Sequence, residues 1–167
     1  MPSPVGHALG GIACAWPLVP AAARERRIVR SALIVGAIAA APDLDLLLND
    51  HRGAGHSLGA AMIAGLIVWI ASRRVRWGAA ASAAWASHVL LDWVGTDTRP
   101  PIGIMALWPW SKAYYQAPLH IFPAISRRYW LSEFWSYNAK ALLVEVVVLL
   151  PIASAVVWSI TRRRGAS

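Results

Sequence analysis

Long apolar runs, separated by short clusters of arginine or of aspartate and histidine, set the pattern of this chain. Five runs stand out: Val5–Ala23, Ile28–Leu48, Leu58–Ala71, Trp77–Val94 and Ala139–Ile160. A membrane-spanning helix takes about 20 residues, with about 17 as the usual lower limit. Four runs reach that length, and the third does if its helix begins back near Gly53. The stretch Gly95–Tyr137 reads differently, with Pro100, Pro101 and Pro109 among Trp108, Trp110, Tyr114, Tyr115, Trp130 and Trp135. Proline interrupts a helix, and Trp and Tyr favour the boundary between membrane and water. Residues 96–137 are therefore expected to form an interfacial lid of short helices and turns. The fold class predicted is all-α, a polytopic membrane helix bundle in one domain covering residues 1–167, without internal repeats.

Composition agrees: 57% of the residues are hydrophobic and 14% charged, too apolar for an ordinary soluble domain. The formal net charge of +8 invites a nucleic-acid reading, which the placement of the charges argues against. Arg24, Arg26, Arg27 and Arg30 separate the first two runs, Arg73, Arg74 and Arg76 the next pair, and Arg162, Arg163 and Arg164 follow the last. In a five-span chain all these lie on one side, which the positive-inside rule makes cytoplasmic. The amino terminus then lies outside the inner membrane. Six of the eight acidic residues and all five histidines fall in the outer half. The first run carries His7 and no preceding basic region, so it reads as a retained span rather than a cleaved signal. Cys14, the single cysteine, is expected to pack inside its helix.

Carboxylates and imidazoles are costly in an apolar segment unless they pair, line a wet cavity or hold a metal. His88 and Asp92, four apart in the fourth run, share one helical face and can chelate one ion. Pro42 is expected to end or kink the second run, and an extended or turn geometry there sends Asp43 and Asp45 to the same side. Gly53 and Gly55 permit a tight turn between His51 and His56, after which Ser57 can cap the third helix. Open amides at that helix start favour an anion, and Arg52 beside them is suited to a bidentate phosphate or carboxylate contact. His56 is the better ligand candidate of the two, leaving His51 as a proton donor or outer ligand. His7 is a further ligand candidate, Glu145 requires an intramembrane partner and is a possible member of the site, and His120 is expected to pack in the lid. No nucleophile elbow, HExxH helix or phosphate-binding loop occurs.

An early His7, Pro42-Asp43-Leu44-Asp45, His51-Arg52 through His56-Ser57, His88 with Leu91-Asp92 and Thr96, and Trp108-Pro109 together resemble the bacterial membrane-bound metal-dependent hydrolases of the LexA-regulated inner-membrane type. The set covers about residues 5 to 150; Arg99-Pro100-Pro101 departs from it. The resemblance implies a metal-dependent hydrolase and a distant likeness to zinc-dependent phospholipase C enzymes.

The leading expectation is hydrolysis of a lipid-linked phosphoester at the outer leaflet. One or two divalent ions, Zn²⁺ above all and two by the count of ligands, would be held by His7, Asp43, Asp45, His56, His88 and Asp92, with Asp45, His51 and Arg52 as catalytic residues. The partner is a membrane lipid. Two other classes compete: a metal or proton transporter with a relay through Glu145, His88 and Asp92, and a membrane regulator with a structural metal. A transport path needs polar residues on both sides, and the inner halves of the runs have almost none.

Overall fold

Ser3 opens the first helix, its hydroxyl accepting the Gly6 amide at 3.1 Å, and Pro4 supplies the preset φ of a first helical residue. This computed structural model describes residues 1–48 and 52–162, apart from the side chains of Leu47 and Leu48. His51, Arg163 and Arg164 lie outside the described residues. Helix α1 (Pro4–Ala15) runs only 12 residues before Pro17 and Pro20 break it. The first apolar run is thus divided into α1, a 3-10 turn over Trp16–Leu18 and the short α2 (Ala21–Arg26). The second run divides likewise, into α3 (Ile28–Ala40) and a 3-10 stretch over Ala41–Leu48. Helices α4 (Leu58–Ser72) and α5 (Val75–Trp93) follow, joined at Arg73, whose φ of +56° turns the chain back sharply. Helix α6 (Phe134–Arg162) closes the chain.

The architecture is all-helical among the described residues, with two isolated β-bridges and no strand. By length and composition, α6 alone of the described helices can cross a membrane; α4 is apolar but holds 15 residues. Segment 96–133 contains turns and bridges but no helix, because Pro100, Pro101, Pro109, Pro118 and Pro123 interrupt every stretch. The expected short helices of the lid are absent there, and its last residues, from Phe134, already belong to α6.

Helix α1 is the hub, contacting α3, α5 and α6. Small residues allow this. A methyl group on Gly11 would strike Ala39 of α3, and one on Gly10 would meet Leu91 of α5 at 2.5 Å. The α4–α5 hairpin closes on Gly65 and Gly78, each set against the other helix. At the end of α1, Trp16, Val19, Val35, Ala39, Ala80 and Ala84 form the main apolar core. Outward faces are apolar too: Met62, Ile63, Leu66 and Ile67 of α4 and Leu143, Val147 and Leu150 of α6 are exposed. A surface of this kind matches a lipid environment rather than water. Cys14 belongs to it, exposed and not packed as the sequence suggested.

The two ends of the bundle differ in chemistry. At one, Arg76 donates to the carbonyls of Pro17 and Leu18, so the starts of α2 and α5 gather their arginines together. At the other lie the amino end of α1, the 3-10 turn after α3, the starts of α4 and α6 and the carboxy end of α5.

Candidate metal centre

Three imidazoles and two carboxylates from four segments converge at that second end. His7 comes from α1, Asp43 from the turn after α3, His56 from the 3-10 turn Ala54–His56, and His88 and Asp92 from α5. Asp92 lies at their middle. Its Oδ1 is 3.3 Å from His7 Nε2, and its Oδ2 is 3.4 Å from His56 Nε2 and 3.1 Å from His88 Nε2. Asp43 closes the group from above, with its oxygens 3.7 to 3.9 Å from the same three nitrogens. The rings of His7 and His88 stack with centroids 3.7 Å apart and planes at 19°. His7, His56, His88 and Asp92 are all within 1% of full burial, whereas the Asp43 side chain is 17% exposed.

Local sequence dictates this arrangement. A 3-10 turn would pair the Ala39 carbonyl with residue 42, and Pro42 has no N–H to give. That carbonyl instead accepts from His88 Nδ1 at 2.8 Å. A carbonyl cannot donate, so the proton sits on Nδ1 and the Nε2 lone pair points at the cluster. Asp43 and Asp45 also owe their placement to this turn. They reach the two edges of one imidazole, Asp43 at His56 Nε2 and Asp45 at Nδ1, 3.0 Å away. Both carboxylates thus meet one imidazole, on a 3-10 rather than an extended backbone, and not as two neighbouring ligands of one ion. Asp45 therefore stands behind His56 as the carboxylate that orients it, outside the donor groups His7–Asp43–His88 and His56–His88–Asp92. Burial pushes the His56 imidazole down, but hydrogen bonds to Asp43 and Asp45 and the Asp92 charge outweigh it and raise its pKa to about 9.

The donor set fits a cation. His7 Nδ1 and Nε2, His88 Nε2 and both Asp92 oxygens are buried without a hydrogen-bond partner. Unpaired polar atoms at full burial are costly, and four of them, His7 Nε2, His88 Nε2 and both Asp92 oxygens, face one another in an arrangement that suits a cation. Imidazole nitrogens with carboxylates are the donors Zn²⁺ prefers.

A family model described as YdjM inner membrane protein matches residues 1–166. The chain belongs to this family. It is accordingly an inner-membrane protein. No curated protein and no solved structure matches it.

Other candidates fall elsewhere. Glu145 is fully buried but lies on the amino end of α1, where Oε1 accepts the Ser3 amide at 2.8 Å and Oε2 the Ser3 hydroxyl. Its partner is Ser3, and it is outside the cluster. Ser57 caps α4 by accepting the Ala60 amide at 3.0 Å, as expected. The anion site foreseen there is absent, because the Leu58 and Gly59 amides already donate to the Ala106 and Trp108 carbonyls. His120 is exposed instead of packed.

Arg52 is buried, with φ at +77°, in the left-handed region that costs a non-glycine residue energy. Neighbours hold it there. Its amide donates to Asp45 at 3.2 Å, its carbonyl accepts from Met105, and Nη1 pairs with Asp97 and donates to the Arg99 carbonyl at 2.9 Å. A carboxylate contact of Arg52 is thus made inside the protein, with Asp97, and these bonds hold the loop in place. Asp97, which also accepts the Gly103 and Arg99 amides, is a residue that the sequence reading missed. So is Ser3, whose Ser-Pro start was a legible cap signal.

Beside the cluster a cleft of about 620 Å³ opens at Asp43. Arg52, Asp97, Arg99, Arg127, Leu131 and Phe134 are among the residues that line it.

Proposed function

We propose that this protein is a membrane-embedded, metal-dependent hydrolase that cleaves a phosphoester of a lipid. His7, Asp43, His56, His88 and Asp92 would hold one divalent cation, best Zn²⁺. The two donor groups share His88, and its single Nε2 lone pair serves one ion, so one ion is preferred to two. A bound cation would polarise a phosphoryl oxygen and lower the pKa of a coordinated water to about 7. The chain's own residues do the rest. Asp45 fixes the His56 ring, the Ala39 carbonyl fixes the His88 tautomer, and Asp43 meets incoming substrate at the edge of the cleft. The observation that carries this reading is the set of buried, unpartnered donor atoms of His7, His88 and Asp92 next to an open cleft. A structural ion would not need the cleft. Transport fits less well, since the described titratable cluster sits at one end and the other holds arginines and Glu25.

The reading includes several crossings by the helical bundle, with the arginine-rich end cytoplasmic and the cluster at the outer leaflet. Helices too short to span alone would be completed by the segments that continue them, as Ala41–Leu48 continues α3.

Protein purified in detergent should carry one zinc per chain by elemental analysis. It should also release phosphate or phosphorylated head group from a panel of phospholipids and polyprenyl phosphates, with loss on chelation and recovery on adding Zn²⁺. Metal-free protein that binds no added Zn²⁺ would end the metal reading; metal-replete protein inactive on the whole panel would end the phosphoester reading. In a Cys14→Ser background, Thr98→Cys should react with an impermeant thiol reagent in intact cells and Arg74→Cys should not. Reversed labelling would put the site on the cytoplasmic face.

A further inference from the structure

The cleft gathers more positive charge than the described structure neutralises. Arg52 is matched by Asp97, whose oxygens are further taken up by the Gly103 and Arg99 amides. Arg99 and Arg128 also line the cleft, and among the described residues neither guanidinium has a protein partner. Arg127 lies beside them. Partial burial and then the Arg99 charge hold it below the usual arginine range, as expected where guanidinium groups crowd. Glu133 is the remaining acidic group on the wall, with Asp43 at the metal side. Arg99 and Arg128 bring like charges from two segments to one cleft, an arrangement that a bound anion relieves.

The cleft also has apolar lining. Ile125, Leu131 and Phe134 contribute it, and the same part of the chain exposes Tyr129, Trp130 and Trp135 at 77%, 67% and 79%. Aromatics so exposed suit the membrane–water boundary. The arginines can read a phosphate and the apolar residues beside them an acyl chain. A soluble anion would use only the arginines.

We infer that Arg99 and Arg128 form the head-group subsite of this cleft, binding the phosphate of an anionic lipid whose chains leave past Phe134 and Trp135. This deepens the hydrolase reading and rests on it for the fate of the lipid, but binding itself does not require the metal. The subsite thus replaces Arg52 as the phosphate reader.

The test is equilibrium binding to metal-stripped full-length protein in detergent, with dioctanoyl phosphatidic acid, dioctanoylglycerol and inorganic phosphate as probes. Phosphatidic acid should bind at least about tenfold more tightly than either of the others, since charge-assisted bonds and apolar burial both contribute. Arg99→Ala with Arg128→Ala should weaken it about tenfold or more while leaving dioctanoylglycerol binding and zinc uptake unchanged. Both side chains are exposed, so the fold should survive, and Arg99→Lys with Arg128→Lys should recover part of the loss. Unchanged phosphatidic acid binding in the double alanine variant would overturn the subsite. Inorganic phosphate binding as tightly as phosphatidic acid, or neutral dioctanoylglycerol doing so, would overturn its assignment to an anionic lipid. Failure of the hydrolase reading would show separately, as arginine-dependent binding by a protein without zinc or turnover.

Discussion

Asp92 and Glu145 are both fully buried carboxylates on long helices, yet their surroundings are opposite. Glu145 receives two donors, the Ser3 amide and hydroxyl, and sits where the exposed amides of α1 favour negative charge. Asp92 faces three imidazole nitrogens 3.1 to 3.4 Å away, and among the described residues its oxygens accept no well-formed hydrogen bond. One carboxylate is saturated by the fold and fastens α6 to α1. The other is left unsaturated, as the proposed metal ligand would be. Burial alone does not distinguish a ligand from a structural anchor; the count of partners does.

The largest expected effect is at Asp92. Asp92→Ala, or His88→Ala, should reduce bound zinc to background in elemental analysis while membrane insertion is retained. Full zinc content in both would make Asp92 another Glu145, a packed polar group. Asp45→Asn tests the next level, because it removes the carboxylate that orients His56 but no donor to the ion. Zinc affinity should fall by about 10- to 100-fold with the stoichiometry kept. An unchanged affinity would mean that His56 needs no orienting partner.

Protons sharpen the contrast further. His56, with its pKa raised to about 9, is protonated at neutral pH without metal and must be neutral to ligate. Zinc binding should therefore expel a proton from His56. Apparent affinity should rise about tenfold per pH unit between pH 7 and 9 and level off above. Titration calorimetry in buffers of different ionisation enthalpy reads that proton directly, and its absence would remove His56 from the ligand set. The smallest effect belongs to Glu145. Glu145→Ala should leave zinc content alone and cost about 1–3 kcal/mol of stability by stranding the Ser3 donors, with Glu145→Gln restoring most of it. Loss of zinc in Glu145→Ala, with stability unchanged, would reverse the comparison.

Much of the centre was legible because its spacing is local. The interval of four from His88 to Asp92 guarantees a shared helix face, and Pro42 guarantees a break that turns Asp43 inward. Charge placement also brought His7 and His56 to the same end before any packing was known. The unequal fates of Asp43 and Asp45 were beyond such reasoning. They depend on which edge of the His56 ring each carboxylate meets, a matter of angstroms set by the 3-10 turn against α5. Arg52 shows the same limit. Its chemistry suits an anion, but only the path of the segment after α5 brings Asp97 to occupy it.

By itself, then, the sequence determined the helical class, the apolar outer faces, the gathering of histidine and aspartate at one end, and most of the donors. These follow from periodicity, from proline and from the cost of charge in an apolar setting, all of which act over a few residues. Tertiary structure alone decided that Asp45 supports while Asp43 faces the centre, that Glu145 anchors instead of ligating, and that Arg99, Arg127 and Arg128 share a cleft. Each depends on contacts between distant segments. A hydrogen bond is made or lost over less than an ångström, and no local pattern specifies where a remote donor will arrive.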